Sequence, residues 1–315
     1  MKIAFLEPLG VPTEKLEQLT RQAVGPEPEL VFWPDRKTDK ETLIERCKGA
    51  EAVVLSNFPF RRDVMEQCPE LKYVCVAFTG VDHVDLDYCR ERGITVSNCA
   101  GYSTVAVADL VFGLVIALAR NILPCDSRCR SGGVKDGLVG FELEGKTFGV
   151  IGAGAIGSRV ARIANAFGCR VLAFTRRKMY LPDVEFVDLE TLLRESDVVS
   201  LHVPQTAQTI GLIGEKELAL MKPTALLINT ARGPVVDTAA LAEALKKGTI
   251  AGAGVDVFDC EPPVPADNPL FGAPNLLCTP HVAFASHQAF EKRAAIVADN
   301  LAAWQAGTPK NLIVG

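Results

Sequence analysis

Short apolar runs alternate with amphipathic stretches along almost the whole chain. Most runs are apolar throughout rather than alternating with polar residues, as in parallel strands covered on both faces. Strands are predicted at residues 3–6, 52–55, 73–77, 94–97, 147–151, 170–174, 198–202, 225–229, 251–257 and 275–278. Because the stretches between them have helical spacing, the pattern predicts an α/β protein with doubly wound parallel sheets.

A long apolar helix, predicted from Ser103 to about Asn121, divides these strands into two groups. A glycine-punctuated connection follows before the next strand begins at residue 147. Two groups of strands predict two sheets, and 315 residues suffice for two domains. A last helix is predicted after His281, with apolar residues at helical spacing and Gly307 past its end. The pattern gives this helix no strand partner of its own, so we expect it to pack on the first domain.

Composition and charge narrow the class of protein. The chain is 48% hydrophobic and 23% charged, as in an ordinary globular protein, and its net charge is −5. Such a chain is not typical of proteins that bind nucleic acid or anionic membrane surfaces. The longest apolar stretch, residues 105–119, is interrupted by Asp109 and is too short to span a bilayer.

The first residues and the cysteines indicate where the protein acts. The apolar start of the chain reaches Glu7 and Pro8 at once, so it predicts a first strand and not a signal peptide. Ten cysteines are scattered without zinc-ligand spacing; Cys125 and Cys129 are four apart, but no second pair accompanies them. We therefore expect reduced thiols, no metal site and a cytoplasmic location.

The segment Gly152-Ala153-Gly154-Ala155-Ile156-Gly157 stands between a predicted strand and an amphipathic helix. A G-x-G-x-x-G turn alone is a weak signal, but this context is typical of dinucleotide binding. Gly152 permits the turn, Gly154 lets the backbone approach a pyrophosphate, and Gly157 lets the helix pack closely on the strand. The helix N-terminus attracts the phosphates. A structural turn or another nucleotide-like ligand is the alternative.

The residues after the next strand bear on the choice of cofactor. An NAD-binding site usually has a carboxylate there, whereas this chain has Thr175-Arg176-Arg177 and no carboxylate before Asp183. A hydroxyl followed by guanidinium groups suits a 2′-phosphate, which a carboxylate would repel. The sequence therefore favours NADP(H) over NAD(H); the alternative is that these are solvated surface charges.

Three ionisable residues follow predicted strands in the second half: Arg232, Glu261 and His281. Each alone could be a surface arginine, a loop glutamate or a polar loop histidine. Ligands of open α/β sheets bind at the carboxyl ends of strands, which is where all three residues stand. Together they supply what reduction of a 2-keto acid requires. Histidine donates a proton near neutral pH, glutamate favours the charged imidazolium, and arginine holds carboxylate and carbonyl oxygens.

These motifs resemble the D-isomer-specific 2-hydroxyacid dehydrogenase family. The resemblance rests on residues 152–157, 229–237, 254–262 and 279–286, and in the first domain on residues 78–82 and 101–108. It implies a flavodoxin-like substrate domain, residues 1–99 plus 285–315, around an inserted Rossmann-like cofactor domain, residues 100–284. It also implies a homodimer with the long helix after Gly101 at the interface.

The resemblance also implies roles for individual residues. Arg232 would bind and polarise the substrate, Glu261 would support the histidine, and His281 would be the acid/base. Asp256 would hold the nicotinamide amide. The backbone of Thr79, Gly80 and Val81 would bind the substrate, a small 2-keto acid, at its carboxylate. The remaining cofactor-binding residues would be Gly152, Gly154, Ala155, Ile156, Gly157, Thr175, Arg176, Arg177, His202, Val203, Pro204, Thr230, Ala231 and Thr104.

The substrate is less closely defined than the chemistry. The Thr175-Arg176 pair resembles the glyoxylate/hydroxypyruvate reductase branch, and residues 101–104 and 281–286 resemble glycerate dehydrogenases. We therefore expect glyoxylate or hydroxypyruvate. The alternatives are another donor on the same scaffold (formate, phosphite or phosphoglycerate) and a non-catalytic, dinucleotide-sensing protein of the corepressor type.

Overall fold

The computed structural model of the protein describes residues 1–176, 179–260 and 263–315. The chain divides into two compact units. The first unit consists of Met1–Ser103 and Ala285–Gly315, and the second of Thr104–Phe284. The α/β class with two largely parallel sheets is thereby confirmed. The assignment of a substrate domain to 1–99 plus 285–315 and of a cofactor domain to 100–284 stays a prediction.

Helices and strands alternate in both units. The strands are β1 Lys2–Phe5, β2 Glu29–Phe32, β3 Ala52–Leu55, β4 Tyr73–Val76, β5 Thr95–Asn98, β6 Thr147–Ile151, β7 Arg170–Phe174, β8 Val184–Phe186, β9 Val198–Leu201, β10 Leu226–Asn229, β11 Gly252–Val255, β12 Leu276–Cys278 and β13 Leu312–Val314. The helices are α1 Thr13–Val24, α2 Lys40–Cys47, α3 Arg62–Met65, α4 Leu86–Arg92, α5 Thr104–Ala119, α6 Ile122–Arg130, α7 Ala155–Ala166, α8 Leu189–Glu195, α9 Glu215–Leu220, α10 Thr238–Lys247 and α11 His287–Gln305.

The sheet of the first unit has the strand order β13-β5-β4-β3-β1-β2. Its parallel strands follow the 2-1-3-4-5 order of flavodoxin-like sheets. Strands β3 and β4 are buried along their whole length, which explains their uninterrupted apolar sequence. Helix α11 packs on α1 and β4, with the Trp304 ring stacked on Tyr73 at a centroid distance of 4.8 Å.

The expectation that the last helix lacks a strand partner is wrong. Strand β13 follows α11 and pairs antiparallel with β5, with Leu312 opposite Ser97 and Val314 opposite Val96. The apolar-run criterion missed β13, β2 and β8 for one physical reason. Edge strands are covered on fewer sides, so their residues are largely half-buried or exposed and need not be apolar.

The sheet of the second unit has the order β12-β11-β10-β9-β6-β7-β8. The chain runs outward from β6 through β7 to β8, returns to β9 beside β6, and then runs outward through β10 to β12. This is the doubly wound Rossmann order with one further strand, and its direction reverses between β6 and β9. In an open α/β sheet, the carboxyl ends at that reversal are where a ligand binds.

Helix α5 packs inside the second unit against α7, β10 and β11, so its apolar residues are mostly buried. Within the described ranges, no single helix is long and apolar enough to cross a membrane. Only together do α5 and α6 reach the length and apolar composition of a membrane-spanning helix, and they meet at a bend of 57°. The prediction of a long helix here is confirmed, although it did not include α6.

Candidate functional site

The glycine-rich turn lies at the sheet reversal of the second unit. It follows β6, and the segment that begins with His202 follows the neighbouring strand β9. Gly152 has a φ of +97°, and a Cβ there would lie 2.6 Å from the His202 carbonyl oxygen. Glycine is therefore needed both for the backbone conformation and for the approach of the β9 loop.

The two other glycines of the turn have opposite surroundings. A Cβ added at Gly157 would overlap the Gly152 carbonyl oxygen, so this glycine lets α7 pack against the turn. A Cβ at Gly154 meets nothing within 4 Å. Gly154 caps α7, whose first residues are Ala155 and Ile156, and their N–H groups have no carbonyl of the same helix to bond to. Open space in front of a helix N-terminus fits a dinucleotide pyrophosphate.

The end of β7 carries the residues predicted to choose the cofactor. Thr175 is half-buried directly after the strand, and Arg176 is exposed beside it. Arg177, the third residue of this prediction, lies outside the described residues. Asp183, the first acidic residue after β7, precedes β8 with a φ of +57°.

The loop after β9 is closed on itself. Thr209 donates its hydroxyl to the Pro204 carbonyl at 2.5 Å, which closes the segment from Pro204 to Thr209, directly after Val203. His202 shares a hydrogen bond with the Ser200 hydroxyl through Nε2 at 2.9 Å. Burial lowers the pKa of His202 to about 3, so its ring is neutral at physiological pH.

Arg232 stands in a turn that Asn229 holds at the end of β10. The Asn229 side chain accepts the Ala231 N–H at 3.1 Å and donates to the Arg232 carbonyl at 2.9 Å. The Arg232 guanidinium donates to the Ala231 carbonyl at 2.8 Å. Between them, the buried Thr230 hydroxyl has no hydrogen-bond partner among the described residues, so it is available to a ligand.

The loop after β11 passes directly over the arginine turn. A Cβ at Gly233 would overlap the Phe258 carbonyl, so only glycine allows this approach. Asp259, the next residue, accepts the Thr238 hydroxyl at 2.6 Å. These contacts bring the segment that leads to Glu261 next to Arg232. Glu261 itself lies outside the described residues.

Asp256 holds the loop that carries His281. The Asp256 carboxylate is fully buried, and it accepts the Thr279 hydroxyl at 2.5 Å and the N–H groups of Val282 and Ala283 at 2.9 Å each. The Asp256 carbonyl accepts the His281 N–H at 2.8 Å. These bonds fix His281 at a φ of +54°, a left-handed conformation that few residues other than glycine adopt. The His281 ring meets Phe284 edge-on at 5.5 Å.

The role predicted for Asp256, holding the nicotinamide amide, stays a prediction, and the structure shows a further role for the carboxylate. Three of roughly four acceptor positions of its carboxylate are occupied by the 279–283 loop. One position remains for a nicotinamide amide. The carboxylate is in the first place the anchor of the His281 loop, a role that the sequence did not indicate.

Two predicted site segments remain. Thr79, Gly80 and Val81 follow β4 in the first unit, and all three are half-buried. The buried Thr79 hydroxyl has no hydrogen-bond partner within the described ranges. Thr104 is the first residue of α5, in the second unit.

Sequence reasoning missed Asn229 and Asn98, both of which hold backbone turns from strand ends. Asn98 donates to the Thr79 carbonyl at 2.7 Å. Both asparagines are strand-terminal and almost fully buried. At Asn229 the sequence offered a signal, a polar residue closing an otherwise apolar strand, whereas β5 already contains Thr95 and Ser97, so Asn98 did not stand out.

The strand ends of the second unit form one chemical arrangement. Asn229 pairs with Val255, and Val255 with Cys278, so the turns bearing Arg232 and His281 follow strands on either side of β11. A guanidinium for oxyanions and an imidazole for proton exchange thus share one sheet edge with the glycine turn. Among the described residues, no cluster of three His, Cys, Asp or Glu side chains could hold a metal ion.

Comparisons with known proteins agree with this arrangement. The family model described as "D-isomer specific 2-hydroxyacid dehydrogenase, NAD binding domain" matches residues 112–283. Glyoxylate reductase of Thermococcus litoralis is 43% identical over an alignment of 300 residues that covers 90% of each chain. Glycerate dehydrogenase of Methylorubrum extorquens is 44% identical over an alignment of 282 residues that covers 87% of this chain and 88% of that one. The solved structure of an acyclic imino acid reductase in complex with NADPH and D-Arg matches with a TM-score of 0.92 and 34% identity, over the full length of both chains.

Proposed function

The chain belongs to the D-isomer-specific 2-hydroxyacid dehydrogenase family, and we propose that within it the chain reduces glyoxylate or hydroxypyruvate to the 2-hydroxy acid with NADPH. The family and the oxidoreductase class predicted from the motifs are confirmed. The cofactor is a nicotinamide dinucleotide. One observation carries the proposal: Asp256 and Asn229 hold the His281 loop and the Arg232 turn at the same sheet edge as the glycine turn.

The residues of the second unit fit the dinucleotide. The open space at Gly154 and the α7 N-terminus suit its pyrophosphate, and the Thr230 hydroxyl suits a polar atom of the ligand. We propose that Ala155, Ile156, His202, Val203, Pro204, Ala231, Asp256 and Thr104 complete its site, as the family resemblance implies. When bound, the dinucleotide supplies the hydride for the carbonyl carbon.

The protein's own residues then handle charge and protons. We propose that Arg232 holds the oxygens of the keto acid and that His281 gives the proton to the carbonyl oxygen. Glu261 would support the histidine, as the family resemblance implies. Thr79, Gly80 and Val81 would bind the substrate carboxylate through backbone N–H groups.

The preference for NADPH rests on Thr175 and Arg176 at the end of β7, where no carboxylate is available to repel a 2′-phosphate. We assign Arg177 the same role on sequence grounds. The solved imino acid reductase, which binds NADPH, is consistent with this choice.

The proposal extends to assembly. Apolar side chains are exposed near the α5–α6 junction: Val139 has 83% and Leu123, on α6, 55% of full exposure. Asn121, between α5 and α6, donates to the Val139 carbonyl and so links the junction to the segment around Val139. Exposed apolar surface of this kind is typical of an interface. We propose that it contributes to a homodimer, which light scattering would show.

The location we propose is the cytoplasm, because all ten cysteines are free.

The experiment is a panel of small 2-keto acids with NADPH and with NADH, followed by the nicotinamide absorbance. We expect the highest kcat/KM with glyoxylate or hydroxypyruvate and NADPH.

The second candidate function is imino acid reduction, which the likeness to the imino acid reductase favours. A parallel series with 2-keto acids and amines tests it. An enzyme that turns over no keto acid in either series would contradict the proposal, and a clear preference for NADH would contradict the cofactor assignment.

A further inference from the structure

Two carbonyl groups at the start of the proposed carboxylate-binding segment, those of Phe78 and Thr79, are held from the same side. The Phe78 carbonyl accepts the Cys99 N–H at 2.9 Å, and the Thr79 carbonyl accepts the Asn98 side-chain amide at 2.7 Å. Both donors come from the end of β5, which lies beside β4. Two successive carbonyls therefore turn towards β5.

Fixing a carbonyl also fixes the N–H of the following residue. A trans peptide is planar, so its C=O and N–H point in opposite directions. The bond to Phe78 thus turns the Thr79 N–H away from β5, and the bond from Asn98 turns the Gly80 N–H the same way. Two donors on consecutive residues that both point away from β5 suit the oxygens of a carboxylate.

Asn98 is itself fixed by two further asparagines. The Asn98 carbonyl accepts the Asn300 side-chain amide at 2.9 Å, and the Asn98 N–H donates to the Asn311 carbonyl at 3.1 Å. The Asn311 side chain donates to the Asn300 side chain at 2.8 Å. Asn300, on α11, is fully buried, and Asn98 is only 8% exposed. Buried, satisfied networks of this kind hold side chains in one conformation.

A buried arginine on α11 holds the residues just before this segment. Arg293 donates to the Ala77 carbonyl at 3.4 Å and to the Leu9 carbonyl at 2.6 Å. Arg293 is only 4% exposed and lies over the Phe290 ring at 4.8 Å. The same helix thus holds Ala77, before the segment, through Arg293, and it holds Thr79, the first residue of the segment, through Asn300 and Asn98.

We propose that Asn98, supported by Asn300 and Asn311, is a positioning residue that directs the Gly80 N–H at the substrate carboxylate. This inference rests on the proposed function, in which the Thr79–Gly80 backbone binds that carboxylate. It assigns to the C-terminal segment of the chain a part in substrate binding. Removing the Asn98 amide frees the Thr79 carbonyl, so the peptide can rotate and the Gly80 donor is no longer held in place.

The test compares Asn98→Asp with Asn98→Ala. Both lack the amide donor, but a protonated aspartic acid donates from its hydroxyl. We expect both variants to raise KM for glyoxylate about tenfold near pH 8, the effect of one lost hydrogen bond to a charged ligand, with a much smaller change in kcat. As the pH falls towards 6, the KM of Asn98→Asp relative to wild type should recover, because burial favours its protonated form. The KM of Asn98→Ala should not recover.

Two further measurements separate positioning from loss of fold. The Kd of NADPH, from its fluorescence, should stay near wild type in Asn98→Ala, which carries the test if Asn98→Asp does not fold. Its melting temperature should fall by only some degrees, since one buried hydrogen bond is lost. Asn268→Asp is the matched control, since its side chain caps a turn by accepting the Leu270 N–H, as an aspartate also does. It should leave KM unchanged.

The outcomes distinguish a failure of the Asn98 positioning role from a failure of the proposed function. An active wild type whose Asn98 variants keep the wild-type KM, or lose kcat and cofactor binding in equal measure, would overturn the positioning role alone. A wild type without turnover of any 2-keto acid would overturn the proposed function and this inference with it.

Discussion

The Val282 N–H lies 2.9 Å from the buried Asp256 carboxylate and donates to it, so the end of β11 directly holds the loop of His281. The same carboxylate takes the Ala283 N–H and the Thr279 hydroxyl. The conformation of the proposed acid/base residue therefore depends on a buried side chain at the end of β11, outside the glycine turn.

Asp256→Asn should impair catalysis and stability together. An asparagine presents an NH₂ group where one oxygen accepts a donor, so at least one buried N–H or hydroxyl loses its acceptor. We expect the free energy of unfolding to fall by about 1–3 kcal/mol and kcat/KM to fall at least tenfold. Urea unfolding and steady-state rates provide the measurements. Asp188→Asn, at the exposed cap of α8, is the control and should change neither, because asparagine caps a helix equally well. Wild-type rates in Asp256→Asn would show that the anchor is dispensable.

Gly154→Ala and Gly157→Ala should separate cofactor binding from folding. A methyl at Gly154 enters open space, so the fold should persist while the Kd of NADPH rises at least tenfold. A methyl at Gly157 overlaps the Gly152 carbonyl and should destabilise the protein by about 1–3 kcal/mol. Calorimetric unfolding and fluorescence titration of NADPH measure both effects. Gly272→Ala, which also meets nothing within 4 Å, is the control. Equal NADPH affinity in Gly154→Ala and wild type would argue against a pyrophosphate at this turn.

The sequence predicts a site residue when the contacts that define its geometry are made by its neighbours along the chain. The glycine turn was predictable because its neighbours along the chain, a strand and a helix, define its geometry. Arg232 and His281 were predictable as strand-end residues, but their supports were not. Asn229 bonds within its own turn, and Asp256 bonds to a loop about 25 residues later in the chain, so neither role leaves a periodic pattern.

His202 should make stability depend on pH. Its folded pKa of about 3 lies below the usual 6.5, because burial disfavours the charged ring. The unfolded chain therefore takes up the proton first, and the stability present above pH 6.5 is lost as the pH falls towards 3. We expect His202→Gln to reduce the slope of unfolding free energy against pH by up to about 1.4 kcal/mol per pH unit in this window. Urea titrations at several pH values measure it. Identical slopes would indicate a ring that is protonated in the folded state.

Arg176→Ala should weaken NADPH selectively. The loss of a guanidinium from a 2′-phosphate should raise KM for NADPH about tenfold and leave KM for NADH nearly unchanged. Arg194→Ala is the matched control, an exposed arginine on α8 that pairs with Glu190. Kinetics with both cofactors decide the matter. A similar rise in KM for both would mean that Arg176 does not read the phosphate.

The central claim is that His281 supplies the proton for reduction of a 2-keto acid, and His281→Gln tests it most directly. Single-turnover measurements with bound NADPH and saturating glyoxylate give the rate of the chemical step, and fluorescence titration gives the Kd of NADPH. We predict a rate lowered by about 10²–10⁴-fold with an unchanged Kd, because the loss is confined to proton transfer. A variant that oxidises NADPH with glyoxylate at the wild-type rate would contradict the account.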